Sequence, residues 1–135
     1  MALILERAYI DEMIQHARDD APNEACGIIA GEGGRARKLY RAINAEASPY
    51  RYSVDAKDLL RIYRDADEHG WDFLAIYHSH THTEAYPSPT DIRLAAWPDA
   101  YYVLVSLMDP SAPVVRAFRI LDGNVTEEPI EVSDV

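Results

Sequence analysis

The chain is organised around the segment Tyr77-His78-Ser79-His80-Thr81-His82-Thr83-Glu84-Ala85-Tyr86-Pro87-Ser88-Pro89-Thr90-Asp91. The segment begins at the end of a continuous apolar run, residues 73–77, which is typical of a strand buried on both faces of a sheet. It closes on Ser88, Pro89 and Asp91, which supply the serine cap, first-turn proline and acidic third position of a helix start. The sequence therefore predicts a central strand that runs into the histidines, followed by a helix that ends near Trp97-Pro98.

Helix and strand patterns alternate through the rest of the chain. Apolar residues recur at helical spacing from about Ala8 to the residue before Pro22, and again between a cap at Ser53 or Asp55 and Gly70. Short apolar runs predict strands at residues 3–6, 25–30, 38–43, 50–54, 101–106, 114–121 and from 125 onward. We therefore expect one α/β domain over residues 1–135, with two or three helices packed against a mixed sheet.

Composition excludes several classes of protein. A formal net charge of −10 argues against nucleic-acid binding, because phosphate contacts need a basic face. The single cysteine, Cys26, excludes an intramolecular disulfide and a multi-thiolate zinc site, and it fits a reducing compartment. The apolar run at residues 2–5 is too short for a signal-peptide core or a membrane span. We therefore expect a cytoplasmic protein with no membrane partner.

His78 and His80 are candidate metal ligands. Residues i and i+2 of an extended chain face the same side, so both imidazoles can point at one ion. The alternative is that they are two hydrogen-bonded polar residues in a loop, because an isolated His-x-His pattern is short and common. His82 forms a second such pair with His80, but its position beyond the strand favours a solvent-facing or substrate-facing role.

Asp91 would complete the three protein ligands that a catalytic zinc site uses, with a fourth position left for water. Ser88 and Asp91 also match a helix capping box, and the two roles are compatible because a first-turn carboxylate can face the end of the neighbouring strand. Glu24 is the candidate general base, since a carboxylate that is not a ligand can take the proton of a metal-activated water. Taken alone, Glu24 would be an ordinary exposed acid.

Three other side chains with reactive groups are expected to take no part in this chemistry. Cys26 lies inside an apolar run, where a small residue is usually packed. His16 and His69 lie on predicted helices and are expected at the surface.

The ordered set Glu24, His78-Ser79-His80, Ser88 and Asp91 resembles the motif of the JAMM (MPN+) metalloprotease family. The likeness extends over nearly the whole chain and implies a JAMM/MPN-like, cytidine-deaminase-like domain with a mixed, mostly antiparallel sheet. It implies one Zn²⁺ per chain held by His78, His80 and Asp91. It also implies that Glu24 is the general base and that Ser88 donates a hydrogen bond to the oxyanion.

Residues 23–27, 77–81, 83–88 and 99–106 are similar to one branch of that family, the Mec-type bacterial peptidases of sulfur-carrier–cysteine adducts. That resemblance implies hydrolysis after the C-terminal Gly-Gly of a ubiquitin-like sulfur carrier protein, with release of cysteine for cysteine biosynthesis. Two alternatives stay open: trimming of a carrier precursor or of small peptides, and a non-catalytic binding module whose zinc is structural. The sequence also leaves self-association into a homo-oligomer open.

Overall fold

The computed structural model describes residues 2–134, whose helices and strands follow most of the sequence patterns. In chain order they are β1 (Leu3–Glu6), α1 (Arg7–Asp20), β2 (Cys26–Glu32), β3 (Arg35–Ala42), α2 (Ala56–Glu68), β4 (Asp72–His80), α3 (Pro89–Leu94), β5 (Tyr101–Ser106), β6 (Val114–Leu121), β7 (Asn124–Glu128) and β8 (Ile130–Ser133). Three helices and a mixed sheet confirm the predicted α/β class. Within the described residues, no helix is long and apolar enough to cross a membrane.

The sheet has eight strands in the order β7-β6-β5-β4-β2-β3-β1-β8. Strand pairs β4–β5, β1–β3 and β1–β8 are parallel and the other four pairs are antiparallel, so the sheet is mixed and mostly antiparallel. The two edge strands, β7 and β8, are consecutive in the chain and only Pro129 separates them. The sheet must therefore curl until its two edges meet at that proline.

Strand β4 lies between β2 and β5 and is buried on both faces, as the apolar run predicts. Side chains alternate across a strand, so neighbours on β4 contact different helices. Tyr77 belongs to the apolar cluster that contains Met13 of α1, whereas Ile76 belongs to the cluster that contains Ile62 of α2. Helices α1 and α2 therefore cover opposite faces of the sheet, and β4 ends in polar residues from His78 onward.

Two helix starts form as the sequence predicts. The Asp55 side chain caps α2 by accepting the N–H of Asp58, and Ser88 and Asp91 form a complete capping box at α3. Gly70 follows α2 with a φ of 72°, in the left-handed region where glycine carries no side-chain penalty. These local signals set where the site-bearing helix α3 begins.

The predicted strand at residues 50–54 is wrong. Within that range the backbone forms only an isolated bridge, between Val54 and Asn44. The Asn44 side chain takes the place of a strand ladder: its Oδ1 accepts the N–H groups of Glu46 and Ser53, and its Nδ2 donates to the carbonyl of Arg51. Residues 45–53 therefore form an ordered loop, called the Asn44 loop below.

Three predicted boundaries also differ from the structure. Helix α3 ends at Leu94, before Trp97-Pro98. The N–H groups of Ala96 and Trp97 donate to the Tyr102 hydroxyl, so they do not form helical hydrogen bonds. Strand β3 begins at Arg35, three residues before the predicted start. The single strand expected from residue 125 is divided into β7 and β8 at Pro129, because proline has no N–H to continue a ladder.

The expected surface position of His16 is wrong. His16 is 3% exposed, with Nδ1 2.7 Å from the Tyr77 hydroxyl and Nε2 3.2 Å from Oδ2 of Asp20. The ring lies between α1 and the central strand because it follows Met13 by three positions, on the buried face of the helix. His69 is exposed, as predicted, and stacks on Trp71.

Candidate metal centre

Four buried side chains converge where the central strand meets the third helix. Glu24 comes from the link between α1 and β2, His78 and His80 from the end of β4, and Asp91 from the first turn of α3. One ligand atom from each of the four lies within 4.8 Å of the others. Residues that are distant in the sequence, one of them by more than fifty positions, therefore form a single group able to hold a metal ion.

Strand pairing brings Glu24 to the histidines. Cys26 of β2 is paired with His78 of β4 in antiparallel register. The contact continues one residue further, because Ser79 N donates to the Ala25 carbonyl at 3.0 Å and Ala25 N donates to Ser79 Oγ at 2.8 Å. Glu24 is thus placed beside the last residues of β4, although it precedes β2 and lies outside any strand.

Asp91 contacts both histidines with one carboxylate oxygen. Its Oδ2 lies 3.0 Å from His78 Nε2 and 3.1 Å from His80 Nε2. The same oxygen accepts the Ser88 N–H at 2.8 Å, while Ser88 Oγ accepts the Asp91 N–H at 3.1 Å. The helix cap therefore fixes the carboxylate that faces the histidines, so the capping role and a ligand role are compatible in this geometry.

The two histidine rings are held in different ways. His80 donates from Nδ1 to the Glu84 carbonyl at 2.9 Å, so Nε2, which faces Asp91, is the ring nitrogen left to bind a proton or a cation. His78 stacks on Tyr52, with ring centroids 4.2 Å apart and an interplanar angle of 19°. Both rings thus present Nε2 to the same point.

The electrostatics of the cluster favour a cation. Burial raises the pKa of Glu24 to about 8, an effect that the charge of Asp91 reinforces and that of His80 opposes. Burial also acts to raise the pKa of Asp91, but hydrogen bonds from His78 and His80 outweigh it and hold that pKa well below its usual range. A buried carboxylate that stays ionised needs a positive partner.

A buried oxygen without a hydrogen-bond partner shows whether the site has room for a further component. Among the described residues, Glu24 Oε1 is buried without a hydrogen-bond partner, and it belongs to the same group of potential ligands. Buried polar atoms rarely remain unpaired, so the site lacks a component that would satisfy this oxygen. Two imidazoles and a carboxylate suit zinc and several other divalent ions. The residues present therefore fit a metal ion.

The remaining sequence candidates lie outside this group. His82 is exposed and comes after the end of β4, as expected. Cys26 is fully buried, and burial raises the pKa of its thiol to about 12, so it is packed and not a nucleophile. Ser88 is half-buried beside Asp91; because its oxygen accepts the Asp91 N–H, its hydroxyl hydrogen remains available to donate.

Sequence reasoning missed the residues that support the centre. Tyr52 stacks on His78, Glu84 accepts from His80, and Asn44 donates to the Glu24 carbonyl at 3.1 Å. Glu84 acts through its backbone, which carries no residue-specific signal. The sequence predicts a strand at residues 50–54, and the hydrogen bonds of the Asn44 side chain could have been expected only from the tendency of asparagine to bond nearby backbone.

Comparison with known proteins agrees with this geometry. Residues 6–121 match the family model described as prokaryotic homologs of the JAB domain. A protein of Mycobacterium tuberculosis named CysO-cysteine peptidase is 48% identical over 135 aligned residues, covering 96% of this chain and 90% of its own. A Thermus thermophilus protein named probable TtuB-protein conjugate cleaving protease is 33% identical, covering 91% and 79% of the two chains.

The solved structures agree as well. The solution structure of a Desulfitobacterium hafniense protein superposes with a TM-score of 0.88 at 36% identity, covering 98% of this chain and 93% of the other. The family match, the peptidase-named relatives and the buried candidate metal group identify the protein as a peptidase-type hydrolase. The chain belongs to the family of prokaryotic JAB-domain proteins.

Proposed function

We propose that this chain is a zinc-dependent peptidase that hydrolyses the bond after the C-terminal Gly-Gly of a ubiquitin-like sulfur carrier protein and releases cysteine. The observation that carries the proposal is the convergence of Glu24, His78, His80 and Asp91 within 4.8 Å in buried surroundings. The 48% sequence identity to a protein named CysO-cysteine peptidase supports the substrate class. The reaction would serve cysteine biosynthesis in the cytoplasm, where a single unpaired thiol fits the reducing conditions.

His78, His80 and Asp91 would hold one zinc ion per chain. When bound, zinc supplies Lewis acidity, lowering the pKa of a coordinated water from about 16 to about 7 and polarising a carbonyl. The side-chain atoms available to hold it would be the two Nε2 atoms and Asp91 Oδ2, which lies 3.0 Å from His78 Nε2 and 3.1 Å from His80 Nε2. The Ser88 N–H and the Glu84 carbonyl keep the aspartate and His80 in place.

Glu24 would move the proton. Its carboxylate takes a proton from the attacking water and passes it to the departing amine, the two tasks of a general base and acid in peptide hydrolysis. Burial keeps the pKa of Glu24 near 8 before any cation is counted, and a neighbouring cation would lower it. The carboxylate is therefore poised to exchange a proton near neutral pH.

Ser88 would stabilise the developing oxyanion. Its hydroxyl accepts the Asp91 N–H as part of the helix cap and still has its own hydrogen to donate. A single donor placed at a developing oxyanion typically contributes about 10²–10³ in rate. The cap fixes the direction of this hydroxyl before substrate arrives.

The nature of the tail suits a buried centre. Two glycines have no side chains, so an extended tail can approach atoms that lie this deep. A largely apolar cavity of about 350 Å³, whose lining includes Tyr52, Thr90 and Asp91, borders the centre at Asp91, and we propose it as the place for such a tail.

A second candidate substrate is a carrier–protein conjugate, favoured by the 33% identity to a relative named for cleaving such conjugates. Four substrates separate these proposals: a carrier ending in Gly-Gly-Cys, the same carrier joined through Gly-Gly to a lysine side chain, a C-terminally extended precursor, and a short tail peptide. We expect kcat/KM to be highest for the cysteine adduct. Faster cleavage of the conjugate or precursor would overturn the substrate assignment, and binding of the carrier without cleavage of any substrate would favour a non-catalytic zinc module.

A further inference from the structure

Glu24, the proposed base, lies outside regular secondary structure. It precedes β2, so neither its N–H nor its C=O is held by the sheet ladder. Its N–H donates to the Ser48 carbonyl at 2.9 Å, and its C=O accepts from Asn44 Nδ2 at 3.1 Å. Both backbone groups of the base are therefore held by the segment that begins at Asn44.

The Asn44 amide is saturated. Its Nδ2 donates to the carbonyls of Glu24 and Arg51, at 3.1 and 3.0 Å. Its Oδ1 accepts from Glu46 N and Ser53 N, at 3.0 and 3.1 Å. An asparagine side chain has two N–H donors and one carbonyl with two lone pairs, so this buried residue uses its full capacity. Aspartate has the same shape but lacks both donors.

The C-terminal end of the Asn44 loop contacts His78, one of the proposed metal ligands. Arg51 and Ser53, the two residues that Asn44 bonds there, flank Tyr52, whose ring stacks on His78. His78 Nδ1 has no hydrogen-bond partner among the described residues, unlike His80 Nδ1. The stack with Tyr52 therefore does for His78 what the Glu84 carbonyl does for His80: it fixes the plane of the ring.

We propose that Asn44 is a positioning residue for the hydrolysis: one side-chain amide sets the Glu24 backbone and the Tyr52 ring together, and so aligns the base with the His78 ligand. This inference rests on the proposed function for its kinetic part only. Residues that orient ligands and bases through hydrogen bonds typically change affinity or activity by about 10–100-fold when they are removed.

Asn44→Asp tests the proposal, with Asn124→Asp as the matched control because it makes the same chemical change at an exposed position. The first readout needs no substrate: amide hydrogen exchange of Glu24 in the full chain. We expect exchange of this amide to accelerate by about 10-fold or more in Asn44→Asp, as expected for local opening. The amide of Ile28, in the adjoining strand β2, should be unchanged. Unchanged Glu24 exchange overturns the proposal.

The second readout is kinetic. With the cysteine-bearing carrier as substrate, kcat should fall by about 10–100-fold in Asn44→Asp with KM changed less than about 3-fold. If the wild-type enzyme leaves the carrier intact, the proposed function is refuted. The positioning role of Asn44 is then still tested by the amide exchange of Glu24. A wild-type enzyme that is active alongside an equally active Asn44→Asp refutes the positioning role.

Tyr52→Leu tests the other half without touching the amide network, and it remains informative if Asn44→Asp fails to fold. Zinc affinity, measured by competition with a chelator, should fall by about 10-fold because the His78 ring loses its stack. Exchange of the Glu24 amide should stay at the wild-type rate. Undiminished zinc affinity in this variant overturns the link between the loop and His78.

Discussion

His80 Nδ1 lies 2.9 Å from the backbone carbonyl oxygen of Glu84, and His80 Nε2 lies 3.1 Å from Oδ2 of Asp91. The carbonyl can only accept, so Nδ1 carries a proton and Nε2 is free to bind a cation. Burial lowers the pKa of His80, but hydrogen bonds to Asp91 and Glu84 outweigh it and raise that pKa. The surroundings of this ring therefore favour a positive charge at Nε2.

Removal of a proposed ligand should abolish metal binding, whereas removal of the neighbouring histidine should not. His80→Ala deletes an Nε2 that faces the centre, and His82→Ala deletes an exposed ring. We expect zinc content to fall from about one per chain to near zero in His80→Ala and to stay near one in His82→Ala. Elemental analysis of the purified proteins measures this. Equal zinc in both variants would contradict the ligand assignment.

Asp91 should be separable into its two roles. In Asp91→Asn the amide oxygen can still accept the Ser88 N–H, so the helix cap is largely kept, but the negative charge is lost. We expect zinc to be lost and the chelated variant to be less stable than chelated wild type, because the hydrogen bonds that hold the pKa of Asp91 low stabilise its ionised form, which Asn lacks. Urea denaturation and metal analysis on the same samples test this. A variant that keeps stoichiometric zinc would show that the charge of Asp91 is dispensable.

Ser88→Ala should reduce turnover beyond its effect on stability. The change removes the α3 cap, which contributes about 1 kcal/mol, and the proposed oxyanion donor, which contributes about 10²–10³ in kcat. Asp55→Ala is the matched control, because it removes the side-chain cap of α2, where the proposed chemistry requires no group. Similar kcat values in the two variants would assign Ser88 to helix capping alone.

Acidification should destabilise the fold through His16. Burial, opposed by Asp20, lowers the pKa of this ring below its ordinary value of 6.5. The unfolded chain then protonates first, so stability is complete above about pH 7 and declines as pH falls through 6.5. His16→Gln does not titrate, and chelated His16→Gln should lose less stability than chelated wild type between pH 7.5 and 5.5. Urea midpoints that shift equally in both proteins would rule this out.

Most of the fold, and three of the four converging residues, could be predicted from the sequence because their signals are local. The apolar run before His78 and the cap at Ser88 set a strand end and a helix start, which bring His78, His80 and Asp91 together. Glu24 was harder, since only the β2–β4 pairing brings it to the histidines. The spacing identified the candidates, and their roles as base and ligands stay predictions.

Other features depend on tertiary contacts that no short pattern encodes. Residues 50–54 alternate like a strand, but the Asn44 side chain takes the backbone groups that a ladder would use. Helix α3 stops early because of Tyr102, a residue of the later strand β5. His16 did carry a signal: it follows Met13 by three positions, on the apolar face of α1, and its partner Tyr77 lies sixty-one positions away.

The most direct test of the central claim is the intact mass of a ubiquitin-like sulfur carrier ending in Gly-Gly-Cys after incubation with zinc-loaded wild type, chelated wild type and zinc-loaded Glu24→Gln. We predict that the carrier loses one cysteine with zinc-loaded wild type alone. Glu24→Gln should keep its zinc and be slower by at least about 10²-fold, the contribution of a positioned general base. Cysteine release that persists under chelation, or at the wild-type rate in zinc-loaded Glu24→Gln, would contradict the account.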